Sequence, residues 1–144
     1  MIKEKYLDTY MKTAKLFAEH SSAVRKKVGA VIVKDDRIIS IGYNGMPSGW
    51  DNDCENYFGL DLKGNPTLVT KPEVLHAESN AIAKLAKSTE SGDGASMFIT
   101  CSPCIDCAKM IYQSGIKEVF YGEEYRNNDG IEFLNKCGLS VRKL

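Results

Sequence analysis

Three of the five cysteines, Cys101, Cys104 and Cys107, fall within seven residues, at the point where a β-rich run gives way to a helical one. An odd cysteine count with this clustering fits a metal or redox site in a reducing compartment better than a disulfide framework. The segment Pro103-Cys104-Ile105-Asp106-Cys107 reads as a helix start, with Ser102 expected to cap it and Pro103 suited to the first helical position. Spaced three apart on a helix, Cys104 and Cys107 turn their sulfurs to one face, and the positive end of the helix dipole favours both thiolates. Two thiolates do not complete a tetrahedral zinc site, which takes a third protein ligand if catalytic and a fourth if structural. The fold therefore has to bring a further ligand to this helix start from elsewhere in the chain.

The chain has two histidines, and one of them opens the triplet His76-Ala77-Glu78 ahead of an apolar-periodic run, Ala81, Ile82, Leu85 and Ala86, that predicts a helix over residues 76–87. One histidine with two cysteines leaves the fourth zinc position to water, the arrangement of a catalytic site, and Glu78 is then the candidate proton carrier. Two residues on an ideal helix are about 200° apart, so His76 is expected at or just before the helix start, where both side chains can turn to one ion. Taken alone, Cys-x-x-Cys is also a redox pair, a zinc-ribbon fragment or two buried thiols, and a thiol–disulfide module could use Cys101-Ser-Pro-Cys104, although redox chemistry needs neither His76 nor Glu78. His-x-Glu joined to Pro-Cys-x-x-Cys is the signature of zinc nucleobase deaminases.

The remaining pattern supplies a scaffold. Tyr6, Tyr10, Ala14 and Phe17 recur at helical spacing and predict an amphipathic helix over about residues 3–19. Val28-Gly-Ala-Val-Ile-Val33 and Arg37-Ile-Ile-Ser-Ile-Gly42 read as a hairpin joined by the short polar turn Lys34-Asp35-Asp36. Periodicity is lost from 44 to 72, which reads as a long functional loop. Strand and helix then alternate: strand 96–100, helix 103–114, strand 118–121, helix 129–136 and strand 140–142. That is an α/β pattern, with parallel strands joined through helices. A length of 144 residues is expected to make one domain, 1–144. Nineteen basic residues balance nineteen acidic ones, which disfavours a stable nucleic-acid partner. No apolar run is long enough for a membrane span, and the charged N-terminus resembles neither a signal nor a transit peptide, so a cytoplasmic location is expected.

His76-Ala-Glu-Ser-Asn-Ala-Ile82, Pro103-Cys-Ile-Asp-Cys-Ala108, Val28-Gly-Ala-Val-Ile-Val33 and Gly42-Tyr-Asn-Gly-Met-Pro47 together resemble the deoxycytidylate (dCMP) deaminase branch of the cytidine deaminase-like superfamily, over about residues 21–138. The zinc motifs reach only the superfamily, which includes tRNA-acting and riboflavin-pathway deaminases. The Gly42–Pro47 segment, the insertion after it and Asn80-Ala-Ile point to the dCMP branch. The resemblance implies a three-layer αβα sandwich around a five-stranded mixed sheet. It implies zinc-dependent conversion of dCMP to dUMP and ammonia, in support of thymidylate synthesis. Zinc would lie on His76, Cys104 and Cys107 with Glu78 as catalytic acid/base, Ala77 N–H on the pyrimidine O2, Asn44 on the 3′ hydroxyl, Tyr125 on base or sugar, and Arg25 and Arg126 on the 5′-phosphate. It also implies a homohexamer activated by dCTP and inhibited by dTTP, the effector carrying Mg²⁺ and contacting Gly42, Tyr43, Gly45, Met46 and Pro47. Ala23 stands where relatives often have a cysteine, so one zinc per chain is expected.

Overall fold

The computed structural model describes residues 2–144. In chain order the elements are α1 (Glu4–Ala18), β1 (Gly29–Lys34), β2 (Arg37–Tyr43), β3 (Glu55–Leu60), β4 (Pro66–Thr70), α2 (Ala77–Ala86), β5 (Ser96–Cys101), α3 (Ile105–Gln113), β6 (Glu118–Glu123), α4 (Asp129–Lys136) and β7 (Ser140–Lys143). In the turn between β1 and β2, Asp35 and Asp36 take φ of 51° and 59°. This left-handed pair matches strand twist in a two-residue hairpin, and Asp tolerates it better than most side chains.

The main sheet has five strands in the order β2-β1-β5-β6-β7. β1 is antiparallel to both neighbours, whereas β5, β6 and β7 run parallel, joined through α3 and α4. Alternation along the central strands sorts the core into two layers. Ala30, Ile32, Met97, Ile99 and Val119 pack with residues of α2, α3 and α4 on one face. Val31, Val33, Phe98 and Phe120 pack beneath α1 on the other. The result is the three-layer mixed-sheet arrangement, and burial of β1 on both faces is why its sequence is a continuous apolar run.

The structure changes three details of the sequence reading. The buried stripe of α1 is Leu7, Met11, Ala14 and Ala18, while Tyr6 stays exposed and Tyr10 lies at the margin, its ring 5.3 Å from that of Phe98. Large rings flanking a helix stripe cover the core edge from the side, so aromatic spacing marks the boundary of the stripe here. The segment read as a structureless loop contains the β3–β4 hairpin, a separate two-stranded sheet. Its apolar residues Tyr57, Phe58 and Leu60 are all exposed and follow no alternation, so no period-2 signal marks it. Its tip is organised by Asp61, whose carboxylate accepts the N–H groups of Lys63 and Asn65 at 2.8 and 2.9 Å. Finally, Cys104 occupies the N-cap of α3 in extended geometry, in place of Ser102.

α2 lies close on β2. Ser40 Oγ donates to the Ala81 carbonyl at 2.6 Å, and Asn80 Nδ2 and Lys84 Nζ donate to the Tyr43 and Ile41 carbonyls at 2.8 and 2.7 Å. Gly42 makes this possible, because a Cβ there would collide with the Ala77 carbonyl oxygen and the Ala81 nitrogen. No helix among the described residues is long and apolar enough to cross a membrane. Gly42→Ala is expected to cost about 2 kcal/mol of stability by overpacking, whereas Gly45→Ala, which meets open space, should stay within about 0.5 kcal/mol; urea unfolding midpoints measure both.

Candidate active site

The topology gathers loops at one end of the sheet. The carboxyl ends of β5 and β6 lead into residues 102–104 and 124–128, and because β1 runs the other way its entry, residues 21–28, arrives at the same end. Ligand sites of α/β sheets lie at this end of parallel strands. Gly29 N–H donates to Thr100 Oγ1 at 3.1 Å and ties the β1 entry to the end of β5.

Two helix starts meet there. His76 is the N-cap residue of α2, with φ −75° and ψ 158°, so it lies just before the helix, as its spacing from Glu78 requires. Cys104 is the N-cap of α3, with Cys107 in the first turn. The Cys104 and Cys107 sulfurs lie 3.5 and 3.3 Å from His76 Nδ1, and the donor atoms of the three residues all fall within 4.8 Å of one another. A tetrahedral zinc ion bound to sulfur and nitrogen places those atoms about 3.6 Å apart, so the donor set fits in both chemistry and size. The three groups also share protons. Hydrogen bonds from Cys107 and His76 pull the Cys104 thiol down to about 4. The same contact with Cys104, together with burial, pushes the Cys107 thiol up. A hydrogen bond to Cys104 raises His76. Protons held between such close donors are what a cation displaces.

Glu78 is 4% exposed, and burial pushes its carboxyl above the usual range. A carboxyl raised by burial holds a proton more tightly than an exposed one. It borders a cavity of about 460 Å³ that is also lined by His76, Ala77 and Cys104. Arg25, Asn44, Tyr125 and Arg126, the other residues singled out for substrate, line the same cavity. The Ala77 amide belongs to the first turn of α2, where N–H groups have no partner within the helix. Asn44 is tightly held: Oδ1 accepts Val28 N–H and Nδ2 donates to the Lys26 carbonyl, both at 2.8 Å. One lone pair and one N–H of its amide remain for a ligand. The Arg126 guanidinium lies 5.3 Å from the Tyr125 ring, in cation–π range.

The family described as the cytidine and deoxycytidylate deaminase zinc-binding region matches residues 4–123. The chain belongs to this family. It is 39% identical to the deoxycytidylate deaminase of Enterobacteria phage T2, across 92% of this chain and 89% of the relative. It is 38% identical to the human deoxycytidylate deaminase, across 93% of this chain and 76% of the relative. A dCMP deaminase from the cyanophage S-TIM5, whose crystal structure is a complex with dCMP and dUMP, superposes with a TM-score of 0.88 at 48% identity over all of both chains.

In this deaminase the residues singled out for an effector do not themselves line the cavity, although Asn44 between them does. Gly42 is buried against α2, and Gly45 bridges Leu75 through a pair of backbone hydrogen bonds of 3.1 and 2.8 Å. Tyr43, Met46 and Pro47 flank these positions on the loop after β2, with Tyr43 exposed. Among the cavity residues that the sequence reading did not assign to the site are the polar Lys26, Glu55, Thr70 and Ser102. Lys26, read as part of a solvated charge run, pairs with Glu123 at 3.0 Å. Ser102 caps nothing; its Oγ accepts Tyr125 N–H at 2.7 Å and anchors the segment that carries Arg126. Its burial at 3% exposure has no local sequence signal.

The shared protons set an expectation for metal binding. The deaminase should take up one zinc per chain by elemental analysis, and Cys107→Ala should abolish that uptake. Titration of zinc into the apoprotein should release protons, with affinity falling as pH falls, because Cys107 and His76, both raised by their contacts with Cys104, must give up their protons to bind. Unchanged zinc content in Cys107→Ala would reject this ligand set.

Proposed function

We propose that this enzyme deaminates dCMP to dUMP and ammonia with one zinc ion held by His76, Cys104 and Cys107. The observation that carries this reading is the buried Glu78 beside the three-donor cluster, inside a cavity that basic side chains also line. Similarity to dCMP deaminases over nearly the whole chain supports the choice of substrate. When bound, zinc supplies the Lewis acidity that makes water a usable nucleophile near neutral pH.

The work of the chain is to hold the ring and move protons. Glu78 takes one proton from the attacking water and delivers it to N3 of cytosine, then takes the second from the new C4 hydroxyl and delivers it to the amino group, which leaves C4 as ammonia while C4=O forms. Its burial keeps bulk water from competing for that proton. The Ala77 amide, at the positive end of α2, donates to the pyrimidine O2. Asn44 receives the 3′ hydroxyl on the remaining polar positions of its amide. Tyr125 packs along base or sugar, and its stacking with Arg126 steadies that guanidinium for the 5′-phosphate, with Arg25 from the same cavity lining as the second cation.

We further propose that dCTP activates and dTTP inhibits, bound with Mg²⁺ on the loop of Gly42, Tyr43, Gly45, Met46 and Pro47 within a homohexamer. Asn44 lies inside this loop and also lines the cavity, so a nucleotide that shifts the loop alters the grip on the sugar. The assembly rests on resemblance to regulated relatives. The five free cysteines and the balanced charge fit a one-domain cytoplasmic enzyme, 1–144, that provides dUMP for thymidylate synthesis without a membrane or a stable nucleic-acid partner.

The zinc-loaded protein should turn over dCMP in a steady-state absorbance assay and respond to dCTP and dTTP in opposite directions. Glu78→Gln should retain zinc and lower kcat by about 10³-fold or more. Absence of dCMP turnover at full zinc occupancy would refute the reading.

A further inference from the structure

Two acidic side chains are buried among the described residues, Glu78 at 4% exposure and Glu55 at 8%, and the reaction uses only the first. Glu55 opens β3, and its Oε1 accepts the N–H groups of Val24 at 2.8 Å and Arg25 at 3.2 Å. Directly opposite Glu55 in the hairpin ladder stands Thr70, whose Oγ1 accepts a hydrogen bond from Arg25 Nη1 at 3.2 Å. One cross-strand pair therefore grips Arg25 at both ends, its main chain through Glu55 and its guanidinium through Thr70. Glu55, Thr70 and Arg25 all line the catalytic cavity.

The grip leaves Arg25 its charge. Glu55 meets the backbone amides, and among the described residues no salt bridge reaches the guanidinium. Apolar packing does not hold this stretch at Val24, which is 73% exposed, so the carboxylate sets the direction of the chain there. The base of the hairpin is itself fixed, with Lys71 N–H donating to the Cys54 carbonyl at 2.8 Å and Lys71 Nζ paired to Asp53 at 3.4 Å. A fixed base, a buried acceptor for two consecutive amides and a hydroxyl on the guanidinium make a support for a cation that must meet an anion in a set place.

We propose that Glu55, with Thr70, is a positioning residue that aims Arg25 at the substrate 5′-phosphate, so that the β3–β4 hairpin sets the preference for a nucleotide over a nucleoside. This rests on Arg25 as a phosphate ligand in the function proposed above. Neither Glu55 nor Thr70 needs to touch the reacting atoms.

The test is steady-state kinetics on zinc-loaded Arg25→Gln, Glu55→Ala, Glu55→Gln, Thr70→Val and the double variant Arg25→Gln/Glu55→Ala, with thermal unfolding of each. Glu55→Ala should raise KM for dCMP about tenfold and Thr70→Val about threefold, with kcat within about twofold in both. Glu55→Gln keeps an oxygen that accepts both amides and should restore KM to within about twofold. In the Arg25→Gln background, Glu55→Ala should add less than about twofold, because its effect passes through Arg25. A normal KM in Glu55→Ala and Thr70→Val, a fall in kcat without a rise in KM, or the full effect persisting without Arg25 would each overturn the proposal. Should Glu55→Ala not fold, Thr70→Val decides, since Thr70 is exposed on the hairpin. If Arg25→Gln alone leaves KM unchanged, the phosphate role of Arg25 fails and takes the proposal with it; if Arg25→Gln raises KM and the hairpin variants do not, the proposal alone fails.

Discussion

The distance between α2 and the sheet governs this molecule. His76 and Glu78 reach the cysteines only if the first turn of α2 lies down on β2, and Gly42 allows the Ala77 carbonyl to come that close. Three side-chain hydrogen bonds, from Ser40, Asn80 and Lys84, then fix the helix along its length, and two of them satisfy carbonyls of β2. Packing has little tolerance at such a contact, because a methyl group exceeds the available space and nearby backbone cannot yield. The donor geometry at the metal cluster is thus inherited from a backbone contact on the far side of the helix turn.

Sheet topology does the rest of the gathering. With β5, β6 and β7 parallel and β1 reversed, four chain segments distant in sequence end at one edge: the entry to β1, the exit of β2, the cysteine loop after β5 and the segment after β6. The cations of the cavity come from the first and last of these, and the metal donors from the helix starts between them. The buried carboxyl of Glu78 lies close to two sulfurs and an imidazole, an environment whose protonation is set mutually rather than residue by residue.

The parts of this arrangement that were readable in the sequence have a physical pattern. His76 can be placed before its helix because a two-residue spacing excludes two mid-helix side chains on one side. The continuous apolar run of β1 signals a strand covered on both faces, which the two core layers provide. The β3–β4 hairpin is hidden because Tyr57, Phe58 and Leu60 are exposed without alternation. Glu55 is hidden for another reason: its partners are backbone amides 30 and 31 positions upstream, and an amide carries no residue identity for a motif to display. Ser102 misleads because its place before Pro103 and Cys104 matches a capping pattern, while a partner from after β6 claims its hydroxyl.

The segment bearing Tyr125 and Arg126 is pinned at both ends. Tyr125 N–H is bonded to Ser102 on one side, and on the other Gly130, at the start of α4, packs so tightly on the Pro103 carbonyl that no side chain fits between them. Both contacts are to the loop that runs from β5 into α3, at residues 102 and 103. The wall that carries Tyr125 and Arg126 and the loop that carries Cys104 are thus tied together. Metal donor and guanidinium therefore share one backbone post, and a shift of residues 102–103 reaches both sides of the cavity.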